Sequence, residues 1–400
     1  MTSLSARRYK QSFFTAGFLC LFVYLLAACG PGGSTVSPSS TAPSNTAPTA
    51  TPQATPSAGV KLGVQPCPVA VQSPTYWAPL VGVQPDVNKV GSVTCANLIG
   101  QNELQALVTV QAPGTDASLD LHVFTHITQP QPVELFKLQS LLKGNARISG
   151  YNTIMTAEVD HNSSVNKGIT ANASLQQDLF REFKWSDSAG TFVPVVFPGL
   201  YPDLTRFQAE TDQQNVNQGQ DAWKLSATQT ASNLTVNLLK WPAADNTTVV
   251  SGGGKSDSDA VVNVKNPGVD GGTVQVTMSR LEGNTNGGIW IVTDVGGAGM
   301  DITTPITNDR ISSPAKVAGK GRAFESVIGR VVILDHTYTD IGDVQARGTT
   351  GMGNATFTAN VTYNSTFKNG AQEGIIALYS YSNADGSIAS AVMHKVLIGL

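Results

Sequence analysis

The stretch "ISSPAKVAGKGRAFES", Ile311 to Ser326, decides how this chain is to be understood. Its Gly319-Lys320-Gly321 invites comparison with a phosphate-cradling loop. Such a loop needs G-x-x-x-x-G-K-[ST] between a strand and a helix, so that successive backbone amides converge on the phosphates. The spacing here is wrong. The adjoining run "SVIGRVVILDH" (326–336) is apolar on both faces, as in a central strand. A phosphate loop is excluded, and the segment belongs to a sheet.

The residues around it extend that sheet. In "ATFTANVTYN" (355–364) the apolar Ala355, Phe357, Ala359, Val361 and Tyr363 alternate with Thr356, Thr358, Asn360, Thr362 and Asn364, the pattern of a half-buried strand. "GIIALYSYSNADGSIASAVMHKVLI" (374–398) reads as a hairpin turning at Asn383–Gly386. Several short strands within a hundred residues suggest a sandwich.

The order Ile311-Ser312-Ser313-Pro314, Gly319, Ala323-Phe324-Glu325, Arg330-Val331, Asp335, Phe357, Tyr363, Ser382 and Asp385-Gly386-Ser387 resembles the immunoglobulin-like domain of bacterial spore germination proteins. The resemblance covers residues 300–400. Two departures stand out: Ser326 replaces the usual glycine after Phe-Glu, and the loop Thr337–Asn354 diverges. Trp290 to Asp301 resembles the end of the module that often precedes this domain. The resemblance implies a non-catalytic module of exported envelope or sporulation proteins.

Upstream, residues 201–299 read as a helix-plus-sheet α+β module. Asp203 is placed to cap a helix whose first turn holds Leu204 and Phe207. A second helix is expected after Ser226, which has Gln229 at capping-box spacing. Its Ala227, Ala231, Leu234, Leu238 and Trp241 form one apolar face. Strands are expected at 260–266, 272–283 and 288–295. Residues 61–200 read as a β-rich α+β module with strands at "LQALVTV" (104–110), "LDLHVFTHI" (119–127), near Ile154 and near Val193. A short helix is expected at "PVELFKLQSLL" (132–142). The expected fold is thus multi-domain and mainly β, with two α+β modules followed by a C-terminal immunoglobulin-like β-sandwich.

The first residues carry Arg7, Arg8 and Lys10, then an apolar run, Phe13–Leu26, shorter than the ~20 residues of a spanning helix. Residues 1–28 therefore read as a signal peptide. Leu26-Ala27-Ala28-Cys29-Gly30 resembles the lipobox of bacterial lipoproteins, which implies cleavage before Cys29, diacylglycerol on its thiol, and a membrane partner through that anchor. In residues 30–60, 27 of 31 are Ser, Thr, Ala, Pro or Gly, with no charge and no aromatic. Such a segment cannot bury enough surface to offset chain entropy, so residues 29–60 read as a lipidated cysteine followed by a disordered linker. At ~3.1 Å per residue in a polyproline-like state it would reach up to ~90 Å.

Cleavage removes Cys20 and occupies Cys29, leaving Cys67 and Cys95 as an even pair in an oxidising compartment. A disulfide between them closes a loop of about 29 residues, worth roughly 3–4 kcal/mol in the chain-entropy model. Loss of three basic residues leaves 22 Lys plus Arg against 28 Asp plus Glu, a formal charge of −6. A mildly acidic chain without a basic block argues against nucleic acid and anionic lipid as partners.

Candidate chemistry is sparse. His122 and His126 have the i, i+4 spacing of a helical zinc pair. On a strand, with Leu119, Leu121, Val123 and Ile127 inward and both histidines outward, they lie ~13 Å apart and cannot share an ion. "EVDHNSS" (158–164) holds the ingredients of nucleophilic catalysis, but no G-x-S-x-G elbow exists, and a solvated turn is expected. Asp257 and Asp259 fall short of a calcium loop. Tyr76, Trp77, Trp185, Trp241 and Trp290 sit among apolar residues and are expected in cores. No catalytic residue, cofactor or metal is assigned. The expected function is a lipid-anchored, extracytoplasmic, non-enzymatic binding or scaffold protein of the bacterial envelope, associated with sporulation or germination, with cell-wall or envelope proteins as partners. A transporter's solute-binding lipoprotein is the alternative, and a surface hydrolase using His161 or Ser163 the third reading.

Overall fold

The computed structural model describes residues 60–399 except 115–116, 269–270 and 282–286. Cys29, the signal peptide and the linker lie outside the described residues. Among the described residues the architecture is mainly β, with several sheets and two longer helices.

The first module begins with a one-turn helix α1 (Pro74–Trp77), followed by β1 (Lys89–Ala96), β2 (Gln105–Gln111), β3 (Ser118–Thr125) and β4 (Val133–Leu142), antiparallel in that order. A second antiparallel sheet holds β5 (Asn145–Ile148), β6 (Ile154–Glu158), β7 (Leu179–Ser186) and β8 (Thr191–Val195). Leu107, Leu121 and Val123 of the first sheet pack on Ile154, Phe183 and Phe192 of the second. On the other face of the first sheet, Ala106, Val108 and Phe124 lie under Val71 and Trp77. Coverage on both sides explains why β2 is buried almost from end to end. The Cys67–Cys95 disulfide pins this covering segment to β1, with 5.2 Å between the Cα atoms. Trp77 donates its indole N–H to Val71 O at 2.7 Å beneath it.

Two expectations for this module are corrected. Of the expected helix at 132–142, residues 133–142 instead form strand β4. Register shifts opposite Leu119/Leu121 and Val123/Phe124 reset the alternation, so the apolar residues fall at spacings that imitate a helical face. His122 does not face outward; it is buried beside Phe124, with Nδ1 2.5 Å from Glu134 Oε1. Its face of the sheet is covered by the pinned segment. His126 is exposed, as expected.

The central module contains α2 (Arg206–Asn217), α3 (Ala227–Asn237), β9 (Thr247–Gly252), β10 (Asp259–Lys265), β11 (Thr273–Arg280) and β12 (Trp290–Gly297). Val262, Val264, Val274, Val276, Trp290 and Val292 face Ala227, Ala231 and Leu234 of α3. Ile289 and Ile291 face the opposite way, onto Ala209 and Val216 of α2. The period-2 alternation of β12 therefore holds a helix on each side. Ser226 caps α3, its hydroxyl accepting from Gln229 N. Thr205, not Asp203, caps α2, because Leu200 and Tyr201 exchange strand-type backbone bonds with Val292 and the helix cannot start until they end. Trp241 lies beyond the end of α3. A turn through Lys240, at φ 58°, returns it to the same core.

The C-terminal module comprises β13 (Asp301–Thr304), β14 (Arg310–Ile311), β15 (Ala315–Phe324), β16 (Val327–Leu334), β17 (Asp340–Arg347), β18 (Met352–Val361), β19 (Gln372–Tyr381) and β20 (Ile388–Ile398). One layer is β13-β15-β18; the other is β17-β16-β19-β20. Val317, Phe357 and Val361 meet Val331, Ile333, Ile376, Leu378 and Val396 between them, and each large side chain so buried contributes about 1.5–3 kcal/mol. Tyr363 closes one end, its hydroxyl 3.2 Å from Ile311 O and 3.1 Å from Gly399 O.

Gly319 and Gly321 lie inside β15. A Cβ at Gly319 would come 2.7 Å from the Phe357 ring and into the backbone of Asp301. A Cβ at Gly321 would collide with Ile328. The two glycines allow close approach within a sandwich. Lys320 between them is exposed and 3.5 Å from Asp301.

The sheet does not stop at residue 300. β20 pairs with β12 at Met393–Val295, so β17-β16-β19-β20-β12-β11-β10-β9 is one continuous surface. Val332, Leu334, Ala377 and Met393 share the core beneath α3.

Candidate functional site

The helix α3 is too short to cover the whole of that surface. Beyond its C-terminal end, over β16, β17 and β19, a cleft of about 400 Å³ remains. Its floor is the outward face of the sandwich: Arg330, Val332 and Leu334 at alternate positions of β16, and Tyr379 and Tyr381 at alternate positions of β19. Arg330 lies directly opposite Tyr379 in the strand register. The wall is made by Asn237, Leu238, Lys240 and Tyr338, and Asp340 and Ile388 complete it.

Three of these side chains are held by polar partners. Tyr338 donates its hydroxyl to Leu200 O at 3.0 Å and Pro202 O at 3.2 Å. Lys240 Nζ donates to Asn237 O at 2.6 Å, and Arg330 is paired with Asp343. Burial pushes the Tyr379 hydroxyl well above its ordinary range, with Tyr381 and Asp340 adding to the effect. Tyr381, 41% exposed, is raised by burial against the opposing charge of Arg330. Both phenols are therefore neutral donors at physiological pH. Tyrosine faces beside apolar Val332, Leu334 and Ile388, rimmed by amide, carboxylate and two cations, are suited to stacking and hydrogen-bonding a ligand. The lining contains no serine, cysteine or histidine. A second depression, about 460 Å³ at the β10–β11 turn, is lined by Asn246, Lys265, Asn266, Pro267, Gly268 and Gly271, without an aromatic among the described residues.

The positions weighed on sequence fall elsewhere. Cys67 and Cys95 are bonded to one another. His122 and His126 take separate partners, Glu134 and Glu103. No group of three or more His, Cys, Asp or Glu able to hold a metal ion occurs among the described residues. Asp257 accepts from Gly254 N and Asp259 from Ser258, each a local turn contact. Trp77, Trp241 and Trp290 are buried, while Trp185 is half-buried on Phe192. The "EVDHNSS" segment is not a solvated turn: Glu158, Asp160 and Ser163 are buried, and only His161 among its ionisable groups is exposed. The turn is buried because it docks on the C-terminal sandwich, where Asn162 Nδ2 donates to Thr366 O at 3.2 Å.

The same interior holds a charge network that composition did not reveal. Lys395, fully buried, donates to Gly199 O at 2.8 Å and Leu204 O and lies 3.1 Å from Glu373. Glu373 accepts from Phe197 N at 3.0 Å. Glu182 of the first module pairs with Arg206 of α2 at 2.9 Å and accepts from Thr153 at 2.6 Å. The connector 197–205 is thereby gripped by groups from the C-terminal sandwich.

Fold and cleft define a multi-module β-protein with an immunoglobulin-like sandwich and an aromatic cleft on its outer face. Residues 300–387 match the family described as the immunoglobulin-like domain of bacterial spore germination. No curated protein matches the chain. No helix among the described residues is long and apolar enough to cross a membrane.

Proposed function

We propose that the chain is a lipid-anchored, extracytoplasmic binding or scaffold protein of the bacterial envelope, without catalytic activity, acting in sporulation or germination. The observation that carries this reading is the match of residues 300–387 to the germination-type immunoglobulin-like domain. The Cys29 lipobox and the Ser/Thr/Pro-rich linker support a membrane anchor ahead of the folded modules. The tyrosine-lined cleft, with its stacking and hydrogen-bonding groups, is the surface assigned to the ligand.

The test is co-sedimentation of the protein with cell walls from vegetative cells and from spores, with serum albumin as the control. Saturable binding is expected, weakened about five- to tenfold by Tyr381→Ala, on the scale of one lost aromatic contact. Binding to neither wall, or full retention of binding in Tyr381→Ala, removes the cleft from the reading. Membrane association that survives Cys29→Ala removes the anchor.

A further inference from the structure

Two loops meet where the first module touches the C-terminal sandwich. From the first module comes the segment 158–178, joining β6 to β7; from the sandwich comes the turn 335–339 after β16. Their surfaces are joined by hydroxyls: Ser164 Oγ lies 3.1 Å from Thr337 Oγ1 and accepts from Thr339 Oγ1 at 2.9 Å. Arg181 stacks over Phe367 at 5.2 Å.

At the centre of this contact His336, its side chain 1% exposed, faces Asp178, with Nε2 3.6 Å from Oδ2. Every charged group packed on the imidazole from either side is an acid: Asp178 and Asp160 from the first module and Asp335 from its own turn. The Glu158–Arg181 ion pair stands behind them, next to Asp160 and Asp178. Asp160 Oδ2, Asp178 Oδ2, Asp335 Oδ2 and both His336 nitrogens have no hydrogen-bond partner in the protein. The Oδ1 of each carboxylate accepts from backbone amides, Asp335 also from the Thr337 hydroxyl, but a neutral ring leaves the three acids without a facing cation, and buried charge is costly unless paired.

We propose that His336 is a proton-operated latch between the first module and the immunoglobulin-like sandwich, closed while the imidazole is protonated and loosened when it is neutral. Burial pushes the imidazole down, but Asp178, Asp335 and Asp160 together outweigh it and raise its proton affinity above the ordinary value. Asp178 shows the reciprocal effect: burial raises it, but the facing His336 and Ser163 and the bond from the Asp160 amide carry it below the usual carboxylate range. The sign is set by the raised histidine: closure is at full strength below the free value of about 6.5 and is lost as pH climbs through the native one. The turn that carries His336 also carries Tyr338, so opening of the joint moves a wall of the cleft. The latch does not depend on what the cleft binds.

The test is hydrogen exchange of the full chain from pH 6 to 9, with rates divided by their intrinsic values. Peptides covering 158–178 and 335–342 are compared with β10 and β11 as internal references. Protection at the joint is expected to be flat up to about pH 6.5 and then to fall by as much as ~tenfold per unit, the limit for release of one proton. His336→Gln, which retains a donor towards Asp178 but cannot titrate, is expected to abolish that slope. A wild-type joint whose protection is pH-independent, or a His336→Gln joint with the wild-type slope, overturns the latch. If His336→Gln does not fold, the imidazole of the wild-type chain is titrated by NMR. A midpoint above about 6.5 supports the proposal, and one at or below it overturns the proposal.

Discussion

Lys395→Met isolates the buried grip on the 197–205 connector. Methionine fills most of the lysine's volume but leaves Glu373 without its cation and the carbonyls of Gly199 and Leu204 without a donor. Removing one partner of a buried ion pair costs about 3–5 kcal/mol. Part of that cost depends on pH. In the native chain Glu373 is pushed up to about 7 by burial, partly offset by Lys395 and the Phe197 amide. Without Lys395 its proton is held to still higher pH. Between those two midpoints the variant's folded state keeps a proton that the unfolded chain has lost, so its deficit relative to the native chain grows by about 1.4 kcal/mol per pH unit as pH rises above 7. Below 7 Glu373 is protonated in both proteins and the deficit is constant. Urea unfolding followed by tryptophan fluorescence at pH 6, 7, 8 and 8.5 measures both parts. Adding Glu373→Gln removes the stranded acid and is expected to flatten the pH dependence while recovering part of the loss. A deficit below about 1 kcal/mol at pH 8, or one that does not vary with pH, would refute the reasoning, because it would mean that Lys395 is not the counter-charge of a buried carboxylate.

Two further outcomes test the frame. Replacing Cys67 and Cys95 together by serine is expected to lower stability by roughly 3–4 kcal/mol, through release of a loop with a sequence separation of 28, seen as a lower urea midpoint and as earlier proteolysis before β1. An unchanged midpoint contradicts it. Gly319→Ala is expected to cost about 1–3 kcal/mol, since its Cβ must displace Phe357 or the Asp301 backbone; a thermal melt equal to wild type would mean that β13, β15 and β18 are not packed as described.

The sandwich was legible because its strands keep strict alternation: Ala355, Phe357, Val361 and Tyr363 are buried as their spacing demands. The α3 cap at Ser226 was legible for an equally local reason. The helix expected at 132–142 failed where β4 departs from alternation, at bulges that only the partner strand β3 reveals. Asp203 has a capping residue's chemistry, but long-range bonding of its neighbours to Val292 decided where α2 begins. The cleft leaves only a faint trace, the i, i+2 pair Tyr379 and Tyr381 in "LYSY", since its other walls come from Lys240 and Tyr338, far away in sequence. Lys395, Glu373, His336 and Asp178 carry no local mark of burial at all. Their partners lie between 22 and 158 residues away, and ordinary sequence reading assigns charged residues to the surface.

The disulfide has a mechanical meaning. Any pull applied through the residues before Val60 meets first Lys61 and Gly63, whose O and N bond the Asn152 side-chain amide, then Gln65, whose amide bonds Cys95 O at 2.8 Å, and then Cys67. From Cys67 the tension passes through sulfur directly into Cys95 of β1. Residues 68–88, between Cys67 and β1, lie in a loop parallel to that path and are bypassed by it. Trp77, seated over Ala106, Val108 and Phe124, therefore lies off the loaded path, and the force enters β1 at Cys95, opposite Ala106 of β2.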